Sequence, residues 1–251
     1  MKKFISNKRV TYVLGILLLF ALWQILAMSI GKEELIFPGP IKTIEYVLIL
    51  LKNSYIYECI SSSLVRMLMG FGLAFILALI LGGIAGNSKF ISDLLSPLMT
   101  SLKAIPTACV VFLFIVLSGA KNAPIYIVFL ISFPILYEGV KGGINSVDKE
   151  LVEAAKMDGA DSYETLIRVK FPLSLAYIFV AIASSLSLSF KIEIMAEVIT
   201  GTTNIGLGSA IVNAQKMDPA NLVPIFSYGL IAIVISLILD AISNIIKKLL
   251  Y

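Results

Sequence analysis

Residues 60–85 read ISSSLVRMLMGFGLAFILALILGGIA, an apolar run of 26 residues. As an α-helix rising 1.5 Å per residue, this run would extend about 39 Å, which exceeds the roughly 30 Å of a bilayer's hydrocarbon core. Its apolar residues lie on all sides instead of alternating, which excludes a strand of a closed barrel. The run therefore predicts a transmembrane helix.

Comparable apolar runs recur along the rest of the chain. Of its 251 residues 59% are hydrophobic and 14% are charged, and the mean hydropathy of +0.97 lies far above that of a soluble globular domain. The pattern predicts an all-α, polytopic integral membrane protein with about six transmembrane helices. The predicted spans are 11–30, 60–85, 97–117, 124–140, 172–199 and 222–246. Between and around them lie a basic N-terminal segment (1–10), a long loop (31–59) and a short tail (247–251).

Composition also restricts the function classes. The chain has no His, and its two cysteines, Cys59 and Cys109, are far apart in sequence, so neither a His/Cys metal site nor a dithiol motif is expected. The net charge of +4 does not indicate nucleic-acid binding, because the chain lacks the soluble basic surface that such binding uses. The first run, 11–30, could instead be a cleaved signal sequence, although it is long for one.

The distribution of Lys and Arg predicts the orientation, because basic residues collect at the cytoplasmic ends of spans. Both termini and residues 141–171 are expected in the cytoplasm, and 31–59 on the other side. The basic residues placed in the cytoplasm beyond the N-terminal segment are Lys89, Lys141, Lys149, Lys156, Arg168, Lys170, Lys247 and Lys248, against Lys32, Lys42, Lys52, Lys121 and Lys216 outside. Within 31–59, the stretch Ile41–Leu51 is too short to cross and predicts an amphipathic helix in the outer interface.

The longest polar connection after the first span contains residues 148–172, which read DKELVEAAKMDGADSYETLIRVKFP. Asp148 can cap a first short helix, and Gly159 suits the left-handed position that ends it. Asp161 followed by Glu164 resembles a capping box for a second short helix, and Pro172 fits the first turn of the fifth span. Residues 146–170 therefore predict two short cytoplasmic helices, either a docking surface for another protein or ordinary solvated loop helices.

Glu153-Ala154-Ala155, followed by Gly159 and by Val169-Lys-Phe-Pro172, resembles the EAA signature of binding-protein-dependent ABC importer permeases. Val169 and Phe171 replace the Ile and Leu of the family pattern, and both changes are conservative. The resemblance extends over most of the region from residue 60, the permease core 60–246. Further matching motifs are Ser63-Leu-Val-Arg66, Gly70-Phe71, Ser96-Pro-Leu98, Lys103-Ala-Ile-Pro106, and Glu197 with Gly206-Leu-Gly208.

The resemblance implies a type I permease fold and a non-catalytic transport subunit in the cytoplasmic membrane of a bacterium. It implies that 146–170 are the coupling helices of an ATPase contact, with Glu153, Ala154, Ala155, Gly159 and Pro172 as its residues. The implied partners are a cytoplasmic ABC ATPase dimer, a second permease subunit forming a homodimer, and an extracytoplasmic solute-binding protein. This chain is expected to bind no cofactor, with ATP and Mg²⁺ on the ATPase, since it lacks a phosphate-binding P-loop. The branch suggested is the nitrate, sulfonate and taurine type, which also includes permeases for vitamin precursors.

Small residues and prolines inside the spans predict how the helices pack. Gly82 and Gly86 form a Gly-x-x-x-Gly that would let another helix backbone come close. Pro106 and Pro134 are expected to free backbone carbonyls and bend their spans.

Three charged residues occur in the fifth span, Lys191, Glu193 and Glu197. Counted from Pro172, Lys191 lies about 28 Å along the helix, which predicts a position near the outer interface, where snorkelling is cheap. Glu193 and Glu197 share a helix face without Lys191, so their partners are expected on other helices. The cluster either lines a solute pathway or anchors the helix at the interface. Most serines of this span, Ser184, Ser185, Ser187 and Ser189, are expected to bond back to their own helix.

Two other functions compete with an importer subunit. An ion-coupled carrier or channel would leave the polar helix pair without a role. An intramembrane hydrolase would need a base and a nucleophile in contact, and without His the candidate is Lys191 with a nearby Ser, on no recognisable motif.

Overall fold

The computed structural model describes residues 8–30, 37–201 and 205–250. Within these residues every regular element is helical, which confirms the all-α prediction. The elements are α1 (Lys8–Ile30), α2 (Pro40–Leu50), α3 (Ser54–Asn87), α4 (Lys89–Ala104), α5 (Thr107–Asn145), α6 (Lys149–Met157), α7 (Ser162–Glu164), a π-helical turn (Thr165–Lys170), α8 (Phe171–Thr200), α9 (Leu207–Met217) and α10 (Val223–Leu250).

Four helices of the described residues are long and apolar enough to cross a membrane. They are Ser54–Asn87, Thr107–Asn145, Ser162–Thr200 and Val223–Lys248. In α1 the apolar part whose side chains are described, Leu14–Ser29, is shorter than these four. The chain is therefore a multi-pass membrane protein. Apart from α1, the difference between the six predicted spans and these four helices arises between residues 97 and 140.

The predicted span 97–117 is not one helix. α4 ends at Ala104, Ile105 is extended with ψ 124°, and α5 begins at Thr107 after Pro106. Pro106 has no N–H to continue a helix, and a proline disfavours helical geometry in the residue before it. Pro106 thus separates two helices instead of bending one, which corrects the predicted role of this residue.

Helix α5 reverses its direction at Gly119. This residue has φ 75° and ψ 156°, a conformation that side-chain-bearing residues rarely adopt. The rings of Phe114 and Tyr126 stack with centroids 5.6 Å apart, whereas twelve residues of straight helix would separate them by about 18 Å. Residues 107–118 and 120–145 therefore form a helical hairpin, whose second half includes the predicted span 124–140.

The chain divides into two compact units. The first comprises Met1–Glu58 and Ala210–Ile231. Within it the indole Nε1 of Trp23 donates to the Pro38 carbonyl at 3.1 Å, and Ser227 Oγ donates to the Thr43 carbonyl at 3.1 Å. Helix α2 covers the predicted amphipathic stretch except Leu51 and begins one residue before it. It exposes the apolar side chains Ile41, Ile44, Leu48 and Ile49, as a helix lying at an interface would.

The second unit comprises Cys59–Ser209 and Ala232–Tyr251, and its core forms around the second half of α5. A Cβ added at Gly82 would lie 3.0 Å from the Tyr137 carbonyl oxygen, and one at Gly86 would lie 2.6 Å from the Ile144 Cβ. Both glycines of the Gly-x-x-x-Gly therefore sit where α3 and α5 approach closely. Pro134 is buried inside α5.

Pro172 lies in the first turn of α8, as predicted, but the helical run before it does not end. The run Ser162–Thr200 is continuous, and the π-helical turn Thr165–Lys170 lies just before Pro172, with Phe171 N–H donating to the Leu166 carbonyl. A proline at this position cannot donate to residue 168, and a wider turn accommodates the missing bond. The second cytoplasmic helix and the fifth span are thus one element, contrary to the predicted boundary.

Candidate functional site

The segment that carries the EAA motif is shaped by local capping interactions. The Asp148 carboxylate accepts from the Glu150 N–H at 3.0 Å at the start of α6. At its end Gly159 has φ 91°; its N–H donates to the Lys156 carbonyl and the Ala160 N–H to the Ala155 carbonyl, both at 3.0 Å. These two bonds form a Schellman motif. The predicted start and stop of the first short helix are both confirmed.

Residues of the EAA motif lie on an exposed surface. Helix α6 has no buried residue; Glu153, Ala154 and Gly159 are exposed, and Ala155 is half-buried. Large apolar side chains of the segment are exposed as well: Leu151 by 50%, Met157 by 83% and Tyr163 by 71%. An exposed group of apolar and small side chains between charged ones is typical of an interaction site.

The base of this segment is held to the span helices of the same unit. Asn87, at the end of α3, donates from Nδ2 to the Ser162 carbonyl at 3.2 Å and accepts from Lys170 Nζ at 2.8 Å. The Asp161 carboxylate accepts from the Glu164 N–H at 2.7 Å, the side-chain half of the predicted capping box. Both Asn87 bonds therefore join the segment to the end of α3.

A second candidate site is a charge cluster inside the second unit. Glu193 and Glu197 of α8 are both fully buried. Arg66 of α3 forms ion pairs with both: its Nε lies 3.0 Å from Glu193 Oε1, and its Nη2 contacts Glu197 Oε1. The partner of both carboxylates therefore lies on another helix. This was predicted because Glu193 and Glu197 share a helix face that does not include Lys191.

The connection after α8 completes the cluster. Arg66 Nη2 also donates to the Ile205 carbonyl at 2.9 Å. Ser63 Oγ donates to Glu197 Oε1 at 2.7 Å and accepts from the Leu207 N–H at 3.0 Å. Gly208 N–H donates to Glu197 Oε2 at 2.7 Å. The start of α9 is thus fastened to α3 and α8 by charge-assisted bonds, the stronger class of protein hydrogen bond.

The two glycines of this connection have no room for a side chain. A Cβ at Gly206 would lie 2.6 Å from Glu197 Oε2, and one at Gly208 would lie 2.6 Å from both the Glu197 Cβ and the Ile194 carbonyl oxygen. The Gly206-Leu-Gly208 motif is therefore explained by close approach of the backbone to a buried carboxylate.

Lys191 does not belong to this cluster. Its side chain is 57% exposed, and its Nζ lies 3.9 Å from Asp240 Oδ2 of α10. Full burial of Glu193 and Glu197 rules out the interpretation that these carboxylates snorkel as interfacial anchors, because both are enclosed by protein. Among the described residues, no group of three or more His, Cys, Asp and Glu side chains is placed to hold a metal ion.

Of the four serines of α8 for which back-bonding was predicted, three bond back to their own helix: Ser184, Ser185 and Ser189. Ser187 instead donates to the Ser236 carbonyl at 3.2 Å. None of these four serine hydroxyls is hydrogen-bonded to Lys191. The Lys–Ser pair that a hydrolase would need therefore does not form among them.

Sequence reasoning did not assign Ser63 and Arg66 as the partners of the two glutamates. They are separated from Glu197 by 134 and 131 residues. The available signal was the motif match itself, because Ser63-Leu-Val-Arg66 and the Glu197 to Gly208 pattern were both present. The sequence did not show that these two motifs are in contact.

Comparison with solved structures identifies the fold. The fold matches that of a methionine ABC transporter solved in inward-facing conformations, with a TM-score of 0.67, 14% identity, and coverage of 78% of this chain and 96% of that one. The chain thus has the type I fold of ABC importer permeases.

Sequence relatives agree with that fold. A Brucella melitensis protein described as a probable ABC transporter permease is 30% identical over 222 residues, covering 87% of this chain and 88% of its own. A nitrate import permease of Synechocystis sp. is 25% identical, covering 80% of this chain and 76% of its own. Residues 70–250 match the family of binding-protein-dependent transport system inner membrane components, and the chain belongs to this family.

Proposed function

We propose that this chain is the membrane-spanning subunit of an ATP-driven importer, and that α6 and α7 are its contact with a separate ATPase. The observation that carries the proposal is the exposed EAA segment, which has no buried residue in α6 and is hydrogen-bonded to α3 through Asn87. A surface that is exposed to a partner and rigidly joined to the span helices suits the transmission of ATPase closure to the membrane.

The assembly proposed has four kinds of component. Two copies of this chain would form the solute path, an ABC ATPase dimer would bind the cytoplasmic face, and a solute-binding protein would deliver solute outside. ATP and Mg²⁺ would be bound by the ATPase, and no cofactor by this chain. Both termini would lie in the cytoplasm of a bacterium, as the basic residues predict.

The proposed cargo is a small solute of the nitrate, sulfonate or taurine kind, or a vitamin precursor. The similarity to a nitrate import permease supports the first of these. The path would run along α8, as predicted from Lys191, Glu193 and Glu197. Because the two glutamates are fully buried, Lys191 is the member of this set that solute could reach.

The proposal is tested by co-purification of the chain with the ATPase expressed from the same operon or genome. Glu153→Lys reverses an exposed charge in the EAA motif without straining the helix, and we expect it to abolish co-purification. Gly159→Asp should do the same, partly because its φ of 91° disfavours any side chain.

A matched control is Glu45→Lys, the same charge reversal at an exposed position of α2, which is predicted on the opposite side of the membrane. This variant should retain the ATPase. Equal retention by Glu153→Lys and Glu45→Lys would contradict the assignment of α6 as the contact.

A further inference from the structure

An ion pair lies in an otherwise apolar groove between α8 and α10. Lys191 Nζ and Asp240 Oδ2 are 3.9 Å apart, and the two side chains are 57% and 47% exposed. The groove has a volume of about 320 Å³, and its apolar walls include Ile194, Ile233 and Leu237. Both charges therefore face out of the subunit, whereas the cluster around Arg66 is enclosed within it.

The pair lies well inside two helices of transmembrane length. Lys191 is nine residues before Thr200, the end of α8, and Asp240 is eight residues before Lys248, the end of the fourth candidate span. At 1.5 Å per residue, each is about 12 Å or more from the nearest end. A charge held inside a span in contact with lipid is costly, so such residues face water or protein.

Polar residues continue from the pair along one face of α10. Exposed Asn244 and Lys248 lie four and eight residues after Asp240, and residues at these spacings share a helix face. On α8 exposed Ser184 lies seven residues before Lys191 on the same face, with exposed Leu188 between them. The row on α10 runs toward the helix end that the basic residues place in the cytoplasm. A polar row of this kind suits the wall of a water-filled path.

Resting on the importer function proposed above, we propose that Lys191 and Asp240 form the solute contact of the translocation path and that, among the cargoes named there, they select a small zwitterion of the taurine kind over a simple anion such as nitrate.

The charge balance of the groove favours this class of solute. A simple anion that paired with Lys191 would leave Asp240 without a counter-ion between apolar walls, which is costly. A zwitterion inserted into the pair gives each side chain an opposite charge. Lys191 and Asp240 are 3.9 Å apart, so the insertion exchanges one pair of opposite charges for two.

The path is tested by cysteine labelling in inverted membrane vesicles, with exposed Cys109 first replaced by Ser. Asn244→Cys is expected to react with a membrane-impermeant methanethiosulfonate from the cytoplasmic side. The matched control is Ile238→Cys, which is 52% exposed on a different face of α10. It should react at least about tenfold more slowly, because a thiol in lipid is not ionised. Equal rates, or an unreactive Asn244→Cys, would overturn the path.

The solute class is tested in the same Asn244→Cys protein with three probes that each contain three carbon atoms: β-alanine, propionate and propylamine. β-Alanine, which carries both charges, is expected to slow labelling severalfold more than propionate or propylamine. Lys191→Gln and Asp240→Asn should each remove that difference. Protection by propionate equal to that by β-alanine, or no protection by β-alanine, would overturn the assignment of a zwitterion.

The labelling result is independent of the ATPase contact. Labelling is measured without ATP, whereas the importer proposal is tested by co-purification with the ATPase. Loss of co-purification in Glu153→Lys with unchanged labelling of Asn244→Cys would support both proposals. A chain that bound no ATPase but was labelled as expected would contradict the importer and leave a zwitterion-lined path.

Discussion

Replacing Arg66 by Gln should destabilise the protein strongly, because it leaves two buried carboxylates without their counter-ion. Arg66 donates to Glu193 at 3.0 Å, to Glu197, and to the Ile205 carbonyl at 2.9 Å. Both carboxylates are fully buried, and the Arg66 side chain is 14% exposed. Removing one partner of such a buried pair costs about 3–5 kcal/mol. Two lost charge-assisted bonds, at about 1.5–3 kcal/mol each, give a similar figure.

The measurement is the fraction of detergent-solubilised protein that remains monodisperse after heating. A loss of about 3–5 kcal/mol corresponds to a fall in the midpoint temperature of roughly 6–20 °C for a chain of this size. The matched control is Arg168→Gln. Arg168 is 78% exposed and pairs with Glu164 at 3.7 Å across one helical turn, an interaction that contributes about 0.3–0.5 kcal/mol.

A charge-neutral version of the cluster distinguishes electrostatics from packing. In the triple variant with Gln at Arg66, Glu193 and Glu197, no buried charge is left unpaired, so at least half of the lost stability should return. If the triple variant unfolds at the same temperature as Arg66→Gln, the uncompensated charge is not the cause. An Arg66→Gln midpoint equal to that of Arg168→Gln would refute the reasoning altogether.

Two glycine substitutions test the close backbone approach at Gly208 and the reversal at Gly119. Gly208→Ala should lower the midpoint temperature, because the added Cβ would lie 2.6 Å from the Ile194 carbonyl oxygen. Overpacking of this kind costs about 1–3 kcal/mol. A midpoint equal to that of the parent would contradict this. Gly119→Ala should destabilise by roughly 1 kcal/mol through its φ of 75° alone, because nothing lies within 4 Å of the new Cβ. Gly83→Ala, equally unhindered but in helical backbone, should be neutral or stabilising, and equal effects at the two positions would show that conformation is not the cause.

Local signals in the sequence predicted the parts of the chain that depend on near neighbours. The cap at Asp148, the stop at Gly159 and the cap at Asp161 each involve hydrogen bonds that reach five residues or fewer. The apolar runs likewise predicted a multi-pass helical membrane protein, because hydropathy is a property of each run alone. The EAA segment could therefore be placed, and its exposure expected, before any contact was known.

The sequence was less informative where a helix is interrupted or continued. Pro106 was expected to bend a span and instead separates two helices. Pro172 lies in the first turn of its span as expected, but a π-helical turn leads into it without a break. A proline removes the same N–H in every case. Whether the chain then bends, breaks or widens its turn depends on what packs around it, and this information is not local.

By itself, the sequence determined that the chain is a bundle of membrane-spanning helices with a capped polar segment, and its motifs identified the family. Only the tertiary structure decided which charges meet. Arg66 and Glu193 are 127 residues apart in sequence, yet their contact is what allows Glu193 and Glu197 to be buried, while Lys191 on the same helix turns outward to Asp240. A buried charge is tolerable only beside its counter-ion, and the partner of each charge is chosen by the packing of helices distant in sequence.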